Sequence, residues 1–220
     1  MPRDVHAALA DDSFTLLDWK RRIFGLYASI RADDDPAHAW RRWCAMRDEL
    51  FAEHPQSPLD EERRRDFDGL DLYSYDPRCR VLGEVEPCER TPLAIATGGG
   101  ETITFVRFAT TRFALEGDEC SLDLYWLEGY GGGLFLPFRD ATSESETYGG
   151  GRYLLDTVKG SDLGESGGRL VLDFNFAYNP SCSYDARWVC PLAPPGSRIA
   201  GAVRAGERHP HRVRTSSGEG

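Results

Sequence analysis

Lysine is almost missing from this chain: Lys20 and Lys159 are its only two, and arginine supplies the rest of the positive charge. The formal net charge is -10 and the pI about 5.0. Phosphate binding rests on clustered Lys and Arg, so this balance excludes nucleic acid as a general partner. No apolar run approaches the length of a bilayer span, the stretch Gly133 to Phe138 being far too short. The start, Met1-Pro2-Arg3-Asp4-Val5-His6, has no apolar segment of a secretory leader, so the expectation is a cytoplasmic protein with no membrane partner. Six cysteines are present but no Cys-x-x-Cys, which favours thiols over disulfides in a reducing compartment. A zinc site built from Cys79/Cys88 with Cys182/Cys190 is not demanded by the spacing, and the expected metal set is none. The five histidines, His6, His38, His54, His209 and His211, all lie outside the strand-rich region, which argues against a Ser-His or Cys-His hydrolase and a His-rich metal centre. Strands and helices do not alternate, so a doubly wound parallel sheet is excluded.

What is present suffices for a folded domain. At 40% hydrophobic and 11% aromatic, the 220 residues can bury a large core. Phe14, Leu17, Ile23, Phe24, Tyr27 and Ile30 recur at helical spacing after Thr15-x-x-Asp18, which reads as a capping box. Asp35-Pro36 opens a second helix with the apolar stripe Trp40, Trp43, Cys44, Leu50 and Phe51, stopped at His54-Pro55. Ser57-Pro58-Leu59-Asp60 starts a short third helix through Glu61–Arg65, whose charge run reads as a solvated face.

From Gly69 on, short β runs take over. They are 80–86, 93–96, 102–108, 112–115, 121–127, 134–140, 151–156 and 170–176, separated by turns such as Gly98-Gly99-Gly100 and Glu116-Gly117-Asp118. A last strand is expected at 199–203. The predicted fold is α+β and β-dominated, with N-terminal helices packed on an antiparallel β-barrel-like or sandwich core. The expected organisation is a helical segment over 1–66, a β domain over 67–207 and a flexible tail over 208–220.

Long motifs carry a family resemblance. Phe135-x-x-Phe138-Arg139-Asp140-Ala141-Thr142-Ser143, Glu146-Thr147-Tyr148-Gly149-x-Gly151-Arg152-Tyr153, Asp173-Phe174-Asn175-x-Ala177-Tyr178-Asn179-Pro180-x-Cys182 and Cys190-Pro191-Leu192-x-Pro194-Pro195 resemble the prokaryotic family called domain of unknown function 1684. Arg47-Asp48-Glu49-Leu50-Phe51, Tyr75-Asp76-Pro77 and Ala205-Gly206-Glu207 fit it too. The resemblance runs from about Trp40 to Glu207 and implies no assigned activity. Where the family often has Asn-Arg after the prolines, this chain has Ser197-Arg198.

Charge at the ends of apolar strands needs a reason, because burying it is costly unless it is paired. Strand alternation puts Arg139 with Phe135 and Pro137, and puts Asp173 with Val171 and Asn175. A hairpin between 134–140 and 151–156 would bring Arg139 and Arg152 to one side. The candidate ligand-binding set is Arg139, Asp140, Glu146, Tyr148, Arg152, Asp173, Asn175, Tyr178 and Asn179. In one reading the arginines clamp a polar or anionic small molecule, and Asp140, Glu146 or Asp173 serves as base. In the alternative, the same groups form a buried ion-pair network in a non-enzymatic structural or protein-interaction domain. The sequence specifies neither catalysis nor a cofactor. Gly149-Gly150-Gly151 reads as a tight turn rather than a phosphate loop. The Gly164-x-Ser166-x-Gly168 match lacks the strand-then-helix setting of a nucleophile elbow. Cys182, with no neighbouring His or Lys, reads as a structural thiol.

Overall fold

The computed structural model describes residues 12–97, 100 and 102–210. The N-terminal start, His6, Gly98-Gly99 and the tail beyond 210, including His211, lie outside the described residues. Helix α1 spans Asp12–Arg31, α2 Pro36–Glu53 and α3 Glu61–Arg65. The strands are β1 (Arg80–Ala96), β2 (Thr102–Leu115), β3 (Asp118–Leu127), β4 (Gly133–Phe138), β5 (Arg152–Asp156), β6 (Glu165–Ser166) and β7 (Arg169–Asp173). They form one antiparallel sheet in the order β5-β4-β3-β2-β1-β7-β6. The fold is therefore α+β and β-dominated, as the sequence predicts.

The sheet does not close strand on strand. A pair of backbone bonds between Tyr153 and Tyr178, 2.8 and 3.0 Å, joins the β5 edge to the segment beyond β7 and gives the sheet its barrel-like curl. Inside lie Leu122, Leu124, Leu136, Phe138, Leu154, Leu172, Phe174 and Phe176, all buried, and the helices cover them. Trp43 is fully buried and meets the Phe176 ring edge-on, so α2 docks through the predicted stripe. A second apolar cluster runs across the sheet, with Ile95 from β1, Phe105 from β2, Tyr125 from β3, Phe135 from β4 and Tyr153 from β5.

Four local expectations are corrected. The runs 80–86 and 93–96 are one strand, and so are 102–108 and 112–115. A register shift between Pro87 and Thr91 lets β1 continue past the proline. Thr15 does not cap α1, because the helix already runs through it and its hydroxyl donates back to the Asp12 carbonyl at 3.0 Å. The cap of α3 is Asp60, whose carboxylate accepts from Arg63 N at 2.8 Å, while Ser57 is turned to the Phe51 carbonyl. No strand forms at 199–203; there the chain makes a single bridge, in which Ile199 N donates to the Arg139 carbonyl at 2.8 Å.

Gly83 marks the point where β1 changes partner, pairing with Leu170 of β7 while Glu84 pairs with Arg112 of β2. A β-carbon there would sit 2.2 Å from Thr111 Oγ1 and 2.7 Å from Leu172 Cδ1. Both neighbours are buried and cannot retreat. Gly83→Ala is therefore expected to lower unfolding stability by about 1–3 kcal/mol, the usual range for overpacking. An unchanged urea midpoint would contradict this.

Candidate functional site

The charged motif residues do not converge on one point. They separate into neighbouring clusters, each set by a local feature of the chain.

The first lies inside the barrel-like sheet. Arg152 opens β5 fully buried, with Nη2 3.5 Å from Asp140 Oδ2. Its remaining donors go to backbone carbonyls: Nη2 to Val203 at 2.9 Å, Nη1 to Glu207 at 3.2 Å and, closer still, to Ala205. Asp140 also accepts from Val203 N at 2.6 Å and Thr142 Oγ1 at 2.9 Å. This pair pins the 203–207 segment to β5.

The second is the junction with the helices. Arg47 reaches from α2 to Glu207, donating from Nε at 2.9 Å and from Nη2. Glu207 Oε2 accepts from Asn179 N at 2.8 Å and the Tyr184 hydroxyl at 2.7 Å. The guanidinium lies over the Trp43, Phe51 and Tyr178 rings, 4.9–5.2 Å from their centroids. Gly206 makes the turn that aims Glu207 inward, at φ +76, and a β-carbon there would be 2.4 Å from the Ala177 carbonyl oxygen. Tyr178 and Asn179 belong to this cluster.

On the surface, Glu146 accepts from Arg204 Nη2 at 2.7 Å and from the Tyr73 hydroxyl at 2.8 Å. The Arg204 and Tyr73 bonds hold its carboxyl down at about 2. Tyr148 points elsewhere, its hydroxyl 3.9 Å from Cys182 Sγ. Arg139 lies near Tyr148, with its Nε buried and unpartnered. Arg139 lies one residue beyond the end of β4 and bridges to Arg198, whereas Arg152 pairs with Phe138, so the two serve different surroundings and the strand expected over 134–140 stops at Phe138.

The last cluster is the one that meets a cavity. Asp173 ends β7 and caps the 3₁₀ turn Phe174–Phe176, accepting from Asn175 N at 3.1 Å. The strand alternation expected through Asn175 thus stops at Asp173. The turn nonetheless folds the amide back, and Asn175 Nδ2 donates to Asp173 Oδ1 at 2.8 Å. Asn175 is held in turn by Asp76, accepting from its N–H and donating to its carbonyl, both at 2.8 Å. Trp40 of α2 donates its indole N–H to the Asn175 carbonyl at 3.1 Å. Oδ1 is therefore fully occupied, whereas Oδ2 is buried and accepts no hydrogen bond. Arg80 Nε stands 3.7 Å from Oδ2. The Tyr75 hydroxyl is also near, short of hydrogen-bond geometry. Burial raises the Asp173 carboxyl to about 6, against the opposing pull of Asn175 and Arg80, and burial with the adjacent carboxylate raises Tyr75 to about 12.

The cavity holds about 170 Å³ and opens between the α1–α2 connection and the β6–β7 hairpin. Asp173, Asp33, Arg80, Arg31, Glu165 and Ser166 supply its polar wall, and residues such as Ile30, Val171 and Phe176 its apolar wall. A buried carboxyl with a displaced pKa at a concave site is the arrangement from which acid–base and ligand-binding chemistry is built. Arg80, Tyr75 and Arg31 carry no signal in the sequence that marks them for this site. Tyr75-Asp76-Pro77 is one of the family motifs, but nothing local says that it meets Asp173, almost a hundred residues away. Among the described residues no group of three or more His, Cys, Asp or Glu side chains is placed to hold a metal ion. Nor is any described helix long and apolar enough to cross a membrane.

The profile of a prokaryotic family described as "protein of unknown function (DUF1684)" matches residues 65–208, well over half of the chain. The chain belongs to this family. The matched region takes in the whole sheet and the Asp140, Arg152, Asp173 and Glu207 clusters. It leaves out α1 and α2, which contribute Arg31, Trp40 and Arg47. Among solved structures, the chain is similar to an uncharacterized protein of Haloarcula marismortui determined by solution NMR. The two are 36% identical, with 76% of this chain and 91% of that one covered and a TM-score of 0.55. No curated protein matches.

Proposed function

We propose that this family member binds a small polar metabolite in the cavity at Asp173, and that Asp173 accepts a hydrogen bond or a proton from it. The observation that carries this reading is the buried Asp173 carboxyl in the lining of that cavity, whose Oδ2 accepts no hydrogen bond and has Arg80 Nε, at 3.7 Å, as its ion-pair partner. A buried carboxylate oxygen that accepts no hydrogen bond costs stability, and a bound donor offsets that cost. The guanidiniums of Arg80 and Arg31, ion-paired with Asp173 at 3.7 Å and Asp162 at 3.5 Å, are the donors that would meet an anionic oxygen of the ligand. The size of the cavity, below the usual range for drug-like ligands, limits the ligand to a few carbons. Asn175 orients the carboxyl, and Trp40 holds Asn175 through its carbonyl.

A different reading suits Asp140, Arg152, Tyr178 and Asn179. The charged donors of Arg152 go to protein acceptors, which favours an architectural part for this group.

The test is a thermal-shift screen of small polar acids and amino acids on wild type, Asp173→Asn and Glu146→Gln. A ligand at a hundredfold its Kd is expected to raise the wild-type Tm by about 5–10 °C. Asp173→Asn should lose that shift relative to its own baseline, and surface Glu146→Gln should keep it. The wild-type shift should weaken as pH falls below about 6, where Asp173 takes up a proton. An equal shift in Asp173→Asn would overturn the assignment.

A further inference from the structure

Arg139 takes no part in the Asp173 cavity or in the ion pairs of Arg47 and Arg152. Its backbone is fixed from both directions: its N–H donates to the Ser197 carbonyl at 2.8 Å, and its carbonyl accepts from Ile199 N at 2.8 Å. These two bonds make a parallel bridge in which Arg139 stands opposite Arg198. Residues opposite each other in such a bridge send their side chains to the same side, the two stems starting about 5 Å apart. The Arg139 stem is held as well. It lies against Gly151, where a β-carbon would sit 3.2 Å from Arg139 Cγ and 2.7 Å from the Phe138 carbonyl oxygen.

The charges around this pair do not balance. Among the described residues neither guanidinium has an acidic or hydrogen-bonding partner. Nearby acids are engaged elsewhere. Asp140 pairs with Arg152 at 3.5 Å, and Asp123, which lies beside Gly196, pairs with Arg107 at 2.7 Å. Like charges placed opposite one another across a bridge repel. Water screens Arg198, which is exposed, but Arg139 is partly buried and its Nε has lost its water without gaining an acceptor. Its two terminal nitrogens are likewise unbonded, yet they are not buried, so an anion can reach them. A cation stripped of part of its water with no carboxylate in exchange is costly, and a bound anion offsets that cost.

We propose that Arg139 and Arg198 form a phosphate-binding site, which takes inorganic phosphate or the phosphate group of a small metabolite. A dianion matches two cations, whereas one carboxylate leaves a positive charge over. The several oxygens of a phosphate can accept from both guanidinium forks at once, a geometry that arginine suits and lysine does not. The chain as a whole carries a net charge of -10, so the attraction is local to this pair and added salt should weaken it.

The experiment is calorimetric titration of the native full chain with inorganic phosphate and with glycerol 3-phosphate, at constant ionic strength and about pH 8, where both are dianions. Saturable binding of at least one probe is expected. Tighter binding of the free ion identifies phosphate itself, and tighter binding of the ester identifies a metabolite. Arg198→Gln changes an exposed side chain, should leave the circular dichroism spectrum unchanged, and should weaken binding at least about tenfold, the usual worth of one charge-assisted contact. Arg139→Gln should weaken it at least as much, and Arg139→Lys should restore only part of the loss. Asp173→Asn should bind phosphate as the wild type does, which separates this site from the cavity. No saturable binding of either probe to the wild type at about 10 mM, an unchanged affinity in Arg198→Gln, or a loss of binding in Asp173→Asn would overturn the proposal.

Discussion

Glu207→Ala is expected to destabilise the protein by about 3–5 kcal/mol, the largest effect of any single change at these clusters. The carboxylate is 1% exposed and holds Arg47, Asn179 N and the Tyr184 hydroxyl together. Removing it strands a guanidinium that is itself 7% exposed and wedged among three aromatic rings. That uncompensated charge, rather than the lost contact, dominates the cost. The double replacement Arg47→Met with Glu207→Leu should therefore cost clearly less than the two single changes summed, because it leaves no ion behind. Urea unfolding of the four proteins checks this. A loss below about 1 kcal/mol for Glu207→Ala, or strict additivity of the two changes, would show that the pair does not hold the helices to the sheet.

Asp173→Asn should have the opposite sign at neutral pH. The folded carboxyl titrates at about 6 against an ordinary value of 3.8, so the folded state holds the proton more tightly than the unfolded one. The stability linked to that proton is fully present below about pH 4 and is lost as pH rises through 6. Holding the proton that much more tightly corresponds to about 3 kcal/mol. Asparagine keeps the acceptor that Asn175 needs and removes the charge, but it turns an amide toward Arg80. The net gain expected at pH 8 is accordingly about 1–3 kcal/mol, shrinking toward zero at pH 4. The difference between variant and wild type across that range isolates Asp173 from every other titrating group. A variant that is less stable at pH 8 would show that the carboxylate is better compensated than its geometry indicates. A stabilised variant that has also lost its ligand shift would mark Asp173 as a residue kept for function at the expense of stability.

The two effects show how clusters that look alike in sequence differ in physics. Arg152 opens one apolar strand and Asp173 ends another, and both carry charge into the interior. Arg152 finds enough acceptors in the carbonyls of 203–207 and has no need of a ligand. Asp173 finds hydrogen-bond donors for one oxygen and, for the other, only an ion pair with Arg80 at 3.7 Å.

Much of this was legible in order along the chain. Period and capping residues determined α2, because Asp35 and Pro36 act within one turn of each other. Alternation and turn glycines determined where β3, β4 and β5 run, and the long motifs determined the family. Short-range signals misplaced the start of α1, the cap of α3 and the strand at 199–203. At each of these places a partner distant in sequence or a continuing helix outweighs the local preference. The distribution of the charges was decided only by tertiary structure. A guanidinium or carboxylate follows the nearest compensating group in space, and for Arg47 that group is Glu207, for Arg152 the backbone of 203–207, for Asp173 Arg80 and an open cavity. Those partners are remote along the chain, and Coulomb attraction depends on distance through the fold, which no spacing in the sequence records.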